Sequence, residues 1–171
     1  DVSPELGHFV GIKVTGDRVF AVLTDARTQP VTERELPLPA TDVDSVVRVL
    51  AEIVAGFATA VERIVGVGVS LGGAIDDHGR VIRAPFLGWA GVDLGDALAA
   101  STGLPVVVEN DVVALVEAER WFGAGRGRSG FSVNTIGAGV GCGLVVGGES
   151  VHTREAGVGL GGHIPLDPNG P

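Results

Sequence analysis

The chain has 171 residues, 45% apolar and 5% aromatic with no Tyr, which supplies a core for one domain or two small lobes and excludes a disordered segment. Twelve basic against 21 acidic side chains leave a net charge of −9, which excludes direct phosphate-backbone binding, and the scarcity of rings excludes a stacking platform for single-stranded nucleic acid. Glycine fills 28 positions, about double ordinary usage, so tight turns and close backbone approaches are expected in place of long plain helices.

No signal peptide precedes Gly7, and the lack of any Met points to a piece of a longer chain. Residues 9–14 and 18–24 are β-favouring runs separated by the turn formers Thr15-Gly16-Asp17, and 31–38 makes a third strand after Gln29-Pro30. An antiparallel meander follows. Thr41-Asp42-Val43-Asp44 resembles a capping box, and Val43, Val46, Val47, Leu50, Ile53, Val54, Phe57 and Val61 recur at helical spacing, so 42–61 reads as an amphipathic helix. Residues 64–70 run apolar without alternation, the pattern of a buried central strand. Glu62 and Arg63 break the most apolar region, so no stretch is long enough to span a membrane. Asp76-Asp77-His78-Gly79 reads as a turn before Val81 and Ile82, 93–100 as a short helix, 105–108 as a buried strand, and 111–122 as a helix capped by Asn110 or Asp111. Residues 131–136 and 142–147 form a hairpin across Gly137-Ala138-Gly139-Val140-Gly141, and this restart of a meander suggests a first lobe at 1–122 and a second beginning at 123–171. The single cysteine, Cys142, excludes an internal disulfide framework and a Cys-rich zinc module, and points to a reducing cytoplasm.

Gly68-Val69-Ser70-Leu71-Gly72 matches the G-x-S-x-G nucleophile elbow, and Asp111 and His163 follow in hydrolase order. An elbow must launch a helix at once, whereas 72–79 reads as turn and hairpin, so a tight glycine turn is preferred over an esterase. The glycine run 137–143 lacks G-x-G-x-x-G spacing and no Gly-Lys-Ser/Thr occurs, so Rossmann and P-loop chemistry are unsupported. Backbone N–H groups at Gly137, Gly139 and Gly141 suit a phosphate, and a plain glycine hairpin fits equally well. Glu109-Asn110-Asp111 closes an apolar strand at a helix start, where an α/β sheet places its ligand groups. Asn110 brings a donor and an acceptor beside a carboxylate, as sugar hydroxyls need, while Asp111 also fits a bare N-cap. His163, among Gly159, Gly161 and Gly162, fits a sugar or metal ligand or a structural histidine.

Several segments stand in a telling order: 66–76 with its Gly72-Gly73 pair, Leu87-Gly88-Trp89, Leu104-Pro105-Val106-Val107-Val108-Glu109-Asn110-Asp111, Phe122-Gly123-Ala124-Gly125, and 137–143. Together they resemble the ROK family of bacterial sugar kinases and sugar-responsive transcriptional repressors over nearly the whole chain. The most specific part is Pro-Val-x-x-Glu-Asn-Asp followed by the glycine hairpin. The resemblance implies an α/β, actin-like ATPase (ribonuclease H-like) fold, with the first lobe and the start of the second present here. It implies sugar held between lobes, by residues that here include Gly73, Asn110, Asp111 and His163, and ATP phosphates gripped by two hairpins. Asp111 then occupies the catalytic-base position, accepting a sugar hydroxyl proton during phosphoryl transfer.

The chain also departs from that pattern. Where the family's kinases carry an Asp-x-Gly-Gly-Thr phosphate hairpin, it reads Lys13-Val14-Thr15-Gly16-Asp17-Arg18, and Ala138 stands where the second hairpin usually has Thr. The family's sugar-binding Glu and Asn are here Leu160 and Phe86. His163 matches a zinc-associated His, but the Cys-x-Cys-Gly-x-x-Gly-Cys cluster would begin after Pro171, so zinc is expected only in a full-length parent and no cofactor is expected on these residues alone. The expectation is therefore a non-catalytic, cytoplasmic, sugar-sensing domain of a ROK-type regulator, with Asp111 vestigial. Its partners would be a small-molecule sugar, a second copy in a homo-oligomer, and DNA through a domain outside this chain, with no membrane. An ATP-dependent sugar kinase using ATP and Mg is the alternative.

Overall fold

Strand β1 (His8–Val14) alternates, turning Val10, Ile12 and Val14 into the core and Phe9, Gly11 and Lys13 to the opposite face. The structure, a computed structural model, describes residues 3, 6–137 and 139–151. β1 pairs antiparallel with β2 (Arg18–Asp25), and β2 with β3 (Pro30–Pro37), which is the meander the turn formers predict.

Helix α1 (Val43–Ala58) buries Val46, Val47, Leu50, Ile53, Val54 and Phe57 in the same core. Its cap is Asp42 instead of Thr41: the Asp42 carboxylate accepts the Ser45 N–H at 2.9 Å, and that bond holds its pKa below the ordinary value. The helix stops short of Val61 because its last turn tightens. The Thr59 hydroxyl donates to the Gly56 carbonyl at 2.8 Å and the Ala60 N–H to the Phe57 carbonyl at 2.9 Å.

Strand β4 (Ile64–Leu71) runs parallel to β1. It is buried on one face only, through Val67, Val69 and Leu71; Gly68 on the other face is exposed, which corrects the expectation of a strand buried on both sides. Short strands β5 (Ala74–Ile75), β6 (Val81–Ala84) and β7 (Trp89–Val92) then form a separate antiparallel sheet. The Trp89 indole N–H donates to the Thr41 carbonyl at 2.6 Å, tying this sheet to the start of α1. Helix α2 (Leu94–Thr102) buries Leu94 and Leu98 and ends at Gly103, whose φ of 69° closes the helix in the left-handed region. Strand β8 (Val106–Asn110) completes a five-stranded sheet ordered β3-β2-β1-β4-β8.

The chain divides into two compact units after Glu109, earlier than the lobe boundary at 122/123 that the restart of the meander suggests. Helix α3 (Asp111–Trp121) belongs with the hairpin that follows, β9 (Gly130–Ile136) and β10 (Val140–Val146), extended by β11 (Glu149–Ser150). The reason is side-chain packing: Val112 and Val116 of α3 lie against Gly141 and Gly143 of β10. Among the described residues no helix is long and apolar enough to cross a membrane.

Candidate functional site

In the first unit, β1 and β4 are in register to their last residues, Val14 opposite Leu71, so the turns that follow them leave the same end of the sheet. Ligand groups in α/β sheets collect at such carboxyl ends. Lys13 stands opposite Ser70 on the exposed face. The turn after β1 is closed by Thr15, whose N–H donates to the Arg18 carbonyl at 2.9 Å and whose hydroxyl accepts the Arg18 N–H at 3.0 Å. The same hydroxyl lies 3.1 Å from the Asp17 carboxylate.

Beyond Leu71 the chain turns at Gly72-Gly73 into β5, with no helix following Ser70. A nucleophile elbow has no footing in that geometry. At Gly73 a Cβ would come 2.4 Å from the Arg83 carbonyl, so the close approach of β6 requires glycine whatever else the residue does. The next turn, 76–79, is held by Asp76, whose carboxylate accepts the Arg80 N–H at 3.0 Å and the His78 N–H at 2.9 Å. Those bonds lower its pKa from the usual carboxylate range. Phe86 reaches over both strand-end turns. Its carbonyl lies 3.0 Å from where a Cβ of Gly16 would be, and its ring 3.6 Å from where one of Gly72 would be.

In the second unit, Asn110 is the N-cap of α3: its buried side-chain oxygen accepts the N–H groups of Val112 at 2.8 Å and Val113 at 3.2 Å. Asp111 is therefore the first helical residue and not the cap, and it is half-buried where the helix dipole favours a carboxylate. In the β9–β10 turn the Gly137 N–H donates to the Gly139 carbonyl at 2.9 Å, so the turn itself uses one of the three N–H groups assigned to phosphate. Gly137 and Gly139 have open space where a side chain would be. Gly141 differs. A Cβ there would meet Val112 Cγ2 and Thr135 Oγ1, each at 2.6 Å, so packing alone demands glycine. Ala138, Leu160 and His163 lie outside the described residues.

One polar cluster has no signature in the sequence. The Glu117 carboxylate accepts from Arg120 Nη2 at 2.7 Å, from the Trp121 indole N–H at 3.0 Å and from the Ser150 hydroxyl. Arg120 also donates to the Gly148 carbonyl at 3.0 Å, which fastens α3 to the β10–β11 turn. Burial pushes the Glu117 pKa up, but the bonds from Ser150 and Arg120 and the Arg120 charge hold it, on balance, below its ordinary value. Only the spatial meeting of α3 with β11 creates this group, so spacing along the chain does not reveal it.

The chain is 39% identical over 131 residues to the glucokinase of Thermotoga maritima, a match covering 75% of this chain and 41% of that protein. It is 29% identical over 175 residues to the DNA-binding transcriptional repressor Mlc of Escherichia coli, covering 99% of this chain and 43% of the repressor. Among solved structures it matches a ROK family glucokinase from Streptomyces griseus, in complex with glucose and AMPPNP, with a TM-score of 0.79 at 31% identity over 89% of this chain and 48% of that one. The chain thus spans about half the length of these relatives, which include both kinases and repressors. The model of the ROK family matches residues 9–171, and with the actin-like ATPase fold shared with the glucokinase structure this establishes that the chain belongs to the ROK family.

Proposed function

We propose that this chain is the effector-sensing part of a ROK-type transcriptional regulator, binding a small-molecule sugar without transferring phosphate to it. One observation carries the reading: Lys13-Val14-Thr15-Gly16-Asp17 occupies the place that, by the family resemblance, holds the kinases' first phosphate hairpin, so Lys13 takes the place of its carboxylate. An ammonium group has no lone pair to offer a metal ion and repels one electrostatically, so these residues do not fit the Mg–phosphate arrangement. The turn after it is knit internally through Thr15 and Arg18, which leaves less backbone to cradle a phosphate.

Sugar binding in this reading shifts the population of two arrangements of a homo-oligomer, and DNA is engaged by a domain outside these residues. The kinase alternative draws on Asn110-Asp111, retained at the start of α3, and on the 39% identity to a glucokinase. Calorimetric titration of the full-length protein with a panel of hexoses and amino sugars, and separately with Mg-ATP, tests the choice. Binding heat from at least one sugar and none from Mg-ATP is the expected result; saturable Mg-ATP binding would favour the kinase.

A further inference from the structure

Residues 83–89 meet both turns that leave the carboxyl ends of β1 and β4, and at each meeting they lie against glycine backbone. A Cβ on Gly73, after β4, would fall 2.4 Å from the Arg83 carbonyl and 3.0 Å from Ala84 Cα, and one on Gly16, after β1, would fall 3.0 Å from the Phe86 carbonyl. A third contact anchors the segment. The Trp89 indole N–H donates to the Thr41 carbonyl at 2.6 Å, one residue before the cap of α1, and Trp89 is only 6% exposed. Between these points the chain is stiff: Ala84 and Leu87 are buried, and 85–87 is a single 3-10 turn begun by Pro85 and closed at Gly88, whose φ is 72°. The Leu38 N–H donates to the Asp17 carbonyl at 2.7 Å, which joins the turn after β1 to the approach to α1. The contacts close a ring.

A buried indole N–H needs an acceptor, and the Thr41 carbonyl supplies it, so the place of Trp89 fixes the place of the whole segment. We infer that Trp89 is a positioning residue for the ligand site at the carboxyl ends of β1 and β4: its hydrogen bond holds 83–89 against Gly16 and Gly73 and so sets the spacing of the two turns. Being buried, it acts through those turns and not by touching a ligand. The inference rests on the sugar-sensing reading above. A turn geometry held in only a fraction of the molecules lowers apparent affinity by that fraction, and by reciprocity a bound ligand holds the geometry closed. Ligand affinity and the integrity of the Trp89–Thr41 bond are therefore coupled.

The test uses the full-length protein, wild type and with Trp89→Phe, titrated with glucose, N-acetylglucosamine and xylose. Trp89→Phe keeps an aromatic ring and removes the donor. For every sugar the wild type binds, it is expected to weaken affinity about three- to tenfold, the size of one lost hydrogen bond. Ile53→Val, a core truncation in the middle of α1, controls for general loss of stability and should leave affinity unchanged. Solvent exchange of the Trp89 indole N–H, followed by NMR in the wild type, should slow by a similar factor when sugar is saturating, and this readout stands even if the variant folds poorly. The Trp121 indole N–H, bonded to Glu117 in the second unit, is the internal reference and should not respond. Wild-type affinity in Trp89→Phe, an equal loss in Ile53→Val, or sugar-independent exchange at Trp89 overturns this inference and leaves the sensor reading standing. No binding of any of the three sugars by the wild type overturns both.

Discussion

Gly143 and Gly141 of β10 let Val116 and Val112 of α3 lie on bare backbone. A Cβ at Gly143 would fall 2.1 Å from Val116 Cγ2, a distance that forces either the helix or the strand to move. Gly143→Ala should therefore destabilise by about 1–3 kcal/mol, and adding Val116→Ala should recover part of the loss, as urea unfolding of the single and double variants would report. An unchanged midpoint for Gly143→Ala would show that α3 does not pack this way. Legibility at this scale is uneven. The cap of α3 follows from polar residues ending an apolar strand, which narrows it to Asn110 or Asp111, and the structure assigns it to Asn110. Gly141 shows the opposite: residue type cannot distinguish a glycine that greets a phosphate from one that admits a valine, and only its buried place beneath α3 does so. The phosphate question is thus best put to Gly137 and Gly139, where a side chain would meet open space.

Periodicity made α1 legible because one helical stripe carries nearly all of its buried side chains. Of the sheet β5-β6-β7 only the β5–β6 hairpin was legible, from its turn residues, because strands of two to four residues broken by Pro85 and Gly88 are too short for any period to show. Strand β4 misleads for another reason. Its Gly66, Gly68 and Ser70 count as compatible with an apolar run while facing away from the core, so alternation is hidden by small residues. The link between α3 and β11 is equally invisible along the chain, and it titrates. Because the folded pKa of Glu117 is below its ordinary 4.5, the carboxylate stabilises the fold above that pH, and the contribution disappears as pH falls through the folded value. Glu117→Gln should then cost about 1 kcal/mol at neutral pH, a modest figure because the Arg120 pair is partly solvated, and should cost progressively less in acid. Thermal unfolding of both proteins across the acid range checks this; a difference independent of pH would assign the effect to shape and not to charge.

For the whole molecule, family membership was readable because ordered fragments spread over the chain, from Gly72-Gly73 through Asn110-Asp111 to the glycine hairpin, are far more specific together than singly. The choice within the family turns on few residues, since kinases and repressors share one fold and both match this chain. Lys13 weighs most in the proposed reading, because phosphoryl transfer is almost wholly positioning and electrostatic stabilisation, and the family resemblance puts this cation where the kinases carry a metal–phosphate carboxylate. The most direct measurement is ADP release by the full-length protein with Mg-ATP and each hexose or amino sugar of the panel, in wild type and in Asp111→Ala. The account predicts no release above the sugar-free background in either protein. Robust sugar-dependent turnover that disappears in Asp111→Ala would contradict it and make the chain part of a working kinase.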